Sequence, residues 1–184
     1  MTADRARGES GRSAEGSAGG SDVLFVAGLF AVALLLRAWA VAAFGGEAVW
    51  DGHYYDFGAR RIAHGFGYSD EIELGGARVW HPWCHYPVGY SAFLAAFYRL
   101  LGDGPGAAGV ANVLAGAALP VVTYLLAREG MSRTRARLAG ALVAIHPGLV
   151  LYGALVMSEP LSSLLVLSAF LAAVRARRAR AFAA

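Results

Sequence analysis

The stretch VLFVAGLFAVALLLRAWAVAAF, Val23–Phe44, decides the fold class. It is continuous and apolar, with Arg37 as its one charge, and a bilayer core takes about 20 such residues as a helix. Working outward, apolar stretches recur at Gly106–Ala127, Leu138–Tyr152 and Pro160–Val174. The third is short for a span unless it extends toward Val156. The whole chain agrees, at 57% hydrophobic and 16% charged, where a soluble domain is about half apolar and a quarter charged. Mean hydropathy is +0.48. These values argue against a soluble enzyme and against a disordered chain. A net charge of only +3, with no basic face, argues against nucleic-acid binding. The single cysteine, Cys84, excludes an internal disulfide framework. The expectation is an all-α polytopic membrane protein with about four transmembrane helices.

Arginine placement orients those helices. Arg5, Arg7 and Arg12 precede the first span. Arg128, Arg133, Arg135 and Arg137 fall between the second and third, and Arg175, Arg177, Arg178 and Arg180 follow the fourth. Cytoplasmic loops carry the arginine excess, and four crossings put all three clusters on that side. A fifth crossing at Val88–Leu101 would expel the 128–137 cluster. That stretch, which carries Arg99, is therefore expected to lie on or dip into the outer face as a juxtamembrane helix. Residues 45–105 become an external region and residues 1–21 a disordered cytoplasmic tail. Residues 22–176 form the membrane domain and 177–184 a cytoplasmic end. The expected location is the inner (cytoplasmic) membrane, with the N-terminus cytoplasmic.

Several polar residues stand out against this background. Arg37 within a span either faces a partner or a water-filled cavity, or snorkels to the outer interface. Asp51 follows the first span in Trp50-Asp51-Gly52-His53-Tyr54-Tyr55-Asp56 and is either a functional acid or the N-cap of the helix that follows. Asp56 and Arg60 are spaced as a helical ion pair. Glu159, in Ser158-Glu159-Pro160, also suits a helix start. The sidedness puts Asp51 and Glu159 on one face, beside the aromatic loop Trp80-His81-Pro82-Trp83-Cys84-His85-Tyr86-Pro87. Acids converging there near Arg37, Arg60 and Arg61 suit binding of an anionic lipid phosphate and activation of a hydroxyl. His81, Cys84 and His85 match no standard zinc spacing, and no metal site is assigned.

In order along the chain, these pieces resemble the GT-C glycosyltransferases that use polyprenyl-phosphate sugars. The nearest group is glycosyltransferase family 39, with its protein O-mannosyltransferases and aminoarabinose transferases. The resemblance rests on Leu36-Arg37, then Asp51-Gly52-His53-Tyr54-Tyr55, then Gly65-Phe66-Gly67-Tyr68-Ser69. Tyr86-Pro87-Val88-Gly89-Tyr90 opens the juxtamembrane helix, and Asn112, Pro120 with Tyr124 and Arg128, His146-Pro147 and Ser158-Glu159 follow. It spans about residues 23 to 175. It implies Asp51 as catalytic base and Glu159 as the later family acid. Arg37, Tyr55, Arg60, Arg61, His81, His85 and Tyr86 are then candidates for binding donor or acceptor. Many members carry a second acid where Gly52 stands here.

The implied chemistry is inverting transfer from a polyprenyl-phosphate sugar to an acceptor hydroxyl on the outer side of the membrane. Asp51 takes the hydroxyl proton and the lipid phosphate leaves against positive charge. Some relatives use a divalent cation beside the base and others none, so the resemblance requires no cofactor beyond the donor. The partners expected are the lipid-linked donor, membrane lipids and an acceptor of open identity: protein, lipid or glycan. Family members carry many more membrane helices, so the expectation is an N-terminal portion: a fragment, a split subunit or a degenerate remnant. The competing reading is a non-catalytic membrane module. A transporter fragment fits less well, because the ionisable residues gather outside rather than at mid-membrane.

Overall fold

The computed structural model describes residues 3–45, 48–82 and 86–183, with side chains between residues 20 and 181 of those ranges. Helix α1 (Ala3–Phe44) leads to α2 (Asp51–Ala63), a hairpin of β1 (Ser69–Leu74) and β2 (Ala77–Pro82), and α3 (Val88–Leu101). Then come α4 (Pro105–Arg128), α5 (Arg133–Ile145), α6 (Pro147–Tyr152) and α7 (Glu159–Ala183). Residues 1–21, expected as a tail, fall mostly on residues whose side chains are outside the description.

Three helical segments are long and apolar enough to cross a membrane: Gly20–Phe44, Pro105–Arg128 and Glu159–Ala181. The third expected span, 138–152, is instead two short helices. The chain breaks at His146, which is extended at φ −62°, ψ 118°. Pro147 explains the break: it disfavours helical backbone at the residue before it, and it lacks an N–H. It suits the first turn of α6 for the same reason. Val88–Leu101 is a shorter apolar helix.

Helix α4 is the hub, packing against α1, α3, α5 and α7. Its small residues permit close approach, the usual device where lipid offers no hydrophobic drive between helices. A Cβ on Gly109 would sit 2.7 Å from Val41 Cγ1, and one on Gly116 would sit 2.6 Å from Arg37 Nε. Arg37 is fully buried at that contact, so it does not snorkel.

Helix α2 packs along α3, which in turn packs on α4. Helix α3 buries Tyr90, Ser91, Leu94, Ala95 and Tyr98, a stripe at helical spacing. Leu100 and Leu101 stay exposed. A two-stranded hairpin, which the all-α expectation did not include, follows α2. Its antiparallel register runs from Ser69↔Pro82 to Leu74↔Ala77. Gly75 and Gly76 form the turn with φ 60° and 81°, the left-handed pair that a two-residue hairpin loop requires.

Candidate functional site

Asp51 is the first residue of α2. The N-cap position belongs to Trp50, whose side chain makes no capping bond, so the capping reading of Asp51 is corrected. Trp50 has φ 50°, uncommon for a residue with a Cβ. The carboxylate of Asp51 is exposed and accepts a hydrogen bond from the Tyr86 hydroxyl at 2.8 Å. Its second oxygen has no hydrogen-bond partner among the described residues. That acceptance, with some burial, pushes the Tyr86 hydroxyl up to about 12, so it remains a donor at neutral pH.

A tyrosine cluster backs this pair. The Tyr86 ring lies 5.2 Å from Tyr54 and 5.1 Å from Tyr55, and Tyr55 lies 4.9 Å edge-on to Tyr90. The Tyr55 hydroxyl meets Ser158 Oγ at 3.4 Å. This links α2 to the residue before Glu159. Glu159 is exposed at the start of α7, and its charge acts on Tyr90. The two acids are thus held at one end of the bundle by the seat of α2 on the 153–157 turn. Gly52 makes that seat possible: a Cβ there would stand 2.6 Å from the Val156 carbonyl oxygen. A side chain at this position has no room here.

Tyr90 donates to Asn112 Oδ1 at 2.8 Å, and Asn112 Nδ2 donates to the Leu155 carbonyl at 2.5 Å. Asn112 is 1% exposed. A buried amide costs stability unless both ends are bonded, and both ends here are bonded. The result ties α3 and α4 to the turn that seats Gly52.

Asp56 forms a second polar group. It accepts from Tyr98 at 2.5 Å and from Arg60 Nε at 2.8 Å. Burial, then Asp56, pushes the Tyr98 hydroxyl above its ordinary value. The bond to Asp56 likewise raises the Arg60 guanidinium. Asp56, Arg60 and His53 line a cavity of about 270 Å³ that also reaches Val156. The Arg60 Nη atoms hold no ion pair among the described residues, although the guanidinium is already paired with Asp56 through Nε.

The other expected residues lie elsewhere. Arg61 donates to Ser69 O at 3.0 Å and Ser69 Oγ at 3.1 Å and stacks 4.6 Å over Phe66. It fastens the hairpin to α2. His81 sits on β2 opposite Asp70, with Nδ1 3.0 Å from Pro82 O. Arg37 donates to the carbonyls of Ala33 at 3.2 Å, Ala144 at 3.1 Å and Val143 at 3.4 Å. It contributes to helix packing and is not part of the tyrosine cluster. His85 lies outside the described residues, as does Cys84. Among the described residues no three His, Cys, Asp or Glu side chains converge as metal ligands do.

Sequence reasoning missed Tyr98, Tyr90 and Ser158 as partners. Asn112 carried a signal, a polar residue in an apolar helix. Nothing in the spacing told Tyr98 from its neighbours.

The apolar helices and the buried polar ties define an all-α polytopic membrane protein, with Asp51 and Glu159 exposed. The family model for dolichyl-phosphate-mannose-protein mannosyltransferases matches residues 85–183, more than half of the chain, and the chain belongs to that family. The match supports membrane localisation and a membrane glycosyltransferase-like function in general. It includes Tyr86, Asn112 and Glu159; Asp51, Tyr55, Arg60 and Arg61 precede it. No curated protein and no solved structure matches the chain.

Proposed function

We propose that the chain takes part in sugar transfer from a polyprenyl-phosphate donor to an acceptor hydroxyl, on the outer face of the cytoplasmic membrane, with Asp51 as general base. The observation that carries this is the exposed Asp51 carboxylate, oriented by Tyr86 at 2.8 Å with one oxygen left open among the described residues. A general base needs an open lone pair within reach of the acceptor proton.

In this reading Asp51 Oδ2 takes the hydroxyl proton as the acceptor oxygen bonds to the anomeric carbon. The bond from that carbon to the phosphate oxygen breaks on the opposite face. The electron pair leaves with the lipid phosphate, and the anomeric centre inverts. Arg60, which lines the neighbouring cavity, donates from its Nη atoms to the departing phosphate. Tyr54 and Tyr86 offer aromatic faces to the sugar, and the buried Tyr55 supports them from behind. Glu159, across the 153–157 turn, serves the acceptor side. The arginine clusters favour a cytoplasmic N-terminus, which places Asp51 outside.

The test is transfer from radiolabelled polyprenyl-phosphate sugars in membranes of cells expressing the gene that encodes this chain. Asp51→Asn should lower transfer by roughly 10²- to 10⁴-fold while the amount of inserted protein stays constant. Transfer unchanged by Asp51→Asn, or no transfer with any donor, would overturn the proposal and favour a non-catalytic module.

A further inference from the structure

At the end of the bundle remote from Asp51 lies a second, differently built cavity. Helix α4 has 24 residues and so separates the two ends by about 36 Å. The groove holds about 590 Å³ between α1, α4 and the last turns of α7. Val26, Phe30, Val121 and Leu125 wall it, while Asp22, Arg128 and Arg175 stand at its mouth.

The charges at this mouth are unequal. Asp22 is taken by Arg133 at 2.7 Å and Arg137 at 3.1 Å. Glu129 is taken by Arg175 at 3.0 Å and Arg178 at 2.6 Å. Arg128 has no ion pair among the described residues. Among the described residues, the arginines from Arg128 to Arg180 number eight, against the carboxylates of Asp22 and Glu129. The apolar wall runs along α1 and α4, two of the helices long and apolar enough to cross a membrane, with Arg128 and Arg175 at one end of it. Basic pockets between transmembrane helices suit lipid phosphates, and Arg offers several donors to one phosphate.

We infer that this groove binds an anionic phospholipid of the phosphatidylglycerol class. An acyl chain lies along Val26, Phe30, Val121 and Leu125, and the phosphodiester lies between Arg128 and Arg175. The site is independent of the proposed sugar transfer and is remote from the acids that serve it. Its occupant is a structural lipid, which fills the gap between α1 and α7 on the face of α4.

The test uses the purified chain in nanodiscs of phosphatidylcholine doped with a photoactivatable phosphatidylglycerol, or with the phosphatidylcholine of the same acyl chains. Phosphatidylglycerol should label peptides containing Val26–Phe30 and Val121–Leu125 roughly tenfold more than phosphatidylcholine, given two arginines near the phosphate. The pair Arg128→Gln/Arg175→Gln should remove that preference; Glu129 keeps Arg178, so the helix ends stay joined. The pair Arg135→Gln/Arg180→Gln removes equal charge from outside the groove and should leave the preference intact. Ala27→Trp fills the groove and should abolish its labelling by both lipids. Equal labelling by the two lipids overturns the inference. So does loss of preference in the Arg135/Arg180 control, which would show a general surface potential. Crosslinks from the groove to another copy of the chain in place of lipid overturn it as well.

Discussion

The guanidinium of Arg37, in the first membrane helix, donates at 3.1 Å to the carbonyl of Ala144, 107 residues later. It also reaches Val143 O at 3.4 Å. These are last-turn carbonyls of α5, and Pro147 removes the N–H that would serve Val143 in a continuous helix. A carbonyl left without a donor at membrane depth is costly. Gly116 and Gly153 leave the slot in which the side chain lies. The arginine and the proline break are therefore one device. Arg37→Met should lower unfolding stability in detergent by roughly 2–4 kcal/mol, since two buried carbonyls lose their donors. Adding Pro147→Ala, which restores an N–H, should recover part of the loss. Strict additivity of the two substitutions would contradict the coupling.

Gly52 is the second position where backbone approach decides the outcome. A methyl group there meets the Val156 carbonyl oxygen at 2.6 Å, and backbone cannot swing away as a side chain can. Gly52→Ala should destabilise by about 1–3 kcal/mol and displace Asp51 from Tyr86. Gly52→Glu, with a longer and charged side chain, should do worse. Thermal unfolding of both variants checks this, and a neutral Gly52→Glu would show that the seat of α2 can open.

The helical membrane class was legible because apolar length is an additive property of the sequence. Val23–Phe44 and Gly106–Ala127 need no tertiary information to be recognised. The stretch 138–152 was less legible: its apolar content is continuous, but Pro147 sits within it and sets the break. The hairpin had its signal in Gly75-Gly76 between alternating residues, which the helical context masked. Asp51 and Tyr86 were both named from sequence, yet their contact across 35 residues depends on how α2 meets the chain entering α3. The tasks of Arg37 and Arg61 were not legible, because an arginine in a sequence does not show which carbonyl receives its donors.

Asn112 tests the tie between the bundle and the site. Its amide accepts from Tyr90 and donates to Leu155 O, so Asn112→Leu strands both groups in an apolar interior. The expected cost is about 1–3 kcal/mol. The local effect is the sharper reading: amide exchange at Gly153–Met157 should quicken more than exchange at the α4 centre. Equal quickening at both places would mean that the tie supports the bundle as a whole and not the turn.

The Tyr86–Asp51 bond should be visible in a titration. The chain has eight tyrosines, and subtracting the tyrosinate absorbance of Tyr86→Phe isolates one hydroxyl. In the folded protein it is pushed up to about 12 from an ordinary 10.0, chiefly because Asp51 accepts a hydrogen bond from the neutral hydroxyl. A raised value means that the bond stabilises the fold fully below pH 10, and that this contribution is lost as pH rises through about 12. Asp51→Asn removes the negative charge, so Tyr86 should ionise closer to 10 and the loss should move to lower pH. Tyr86→Phe leaves the base in place but frees its orientation, so transfer should fall less than in Asp51→Asn. Identical tyrosinate curves in the parent and Asp51→Asn would mean that the hydroxyl donates elsewhere in solution. Asp51 would then lack the partner that orients it as a base.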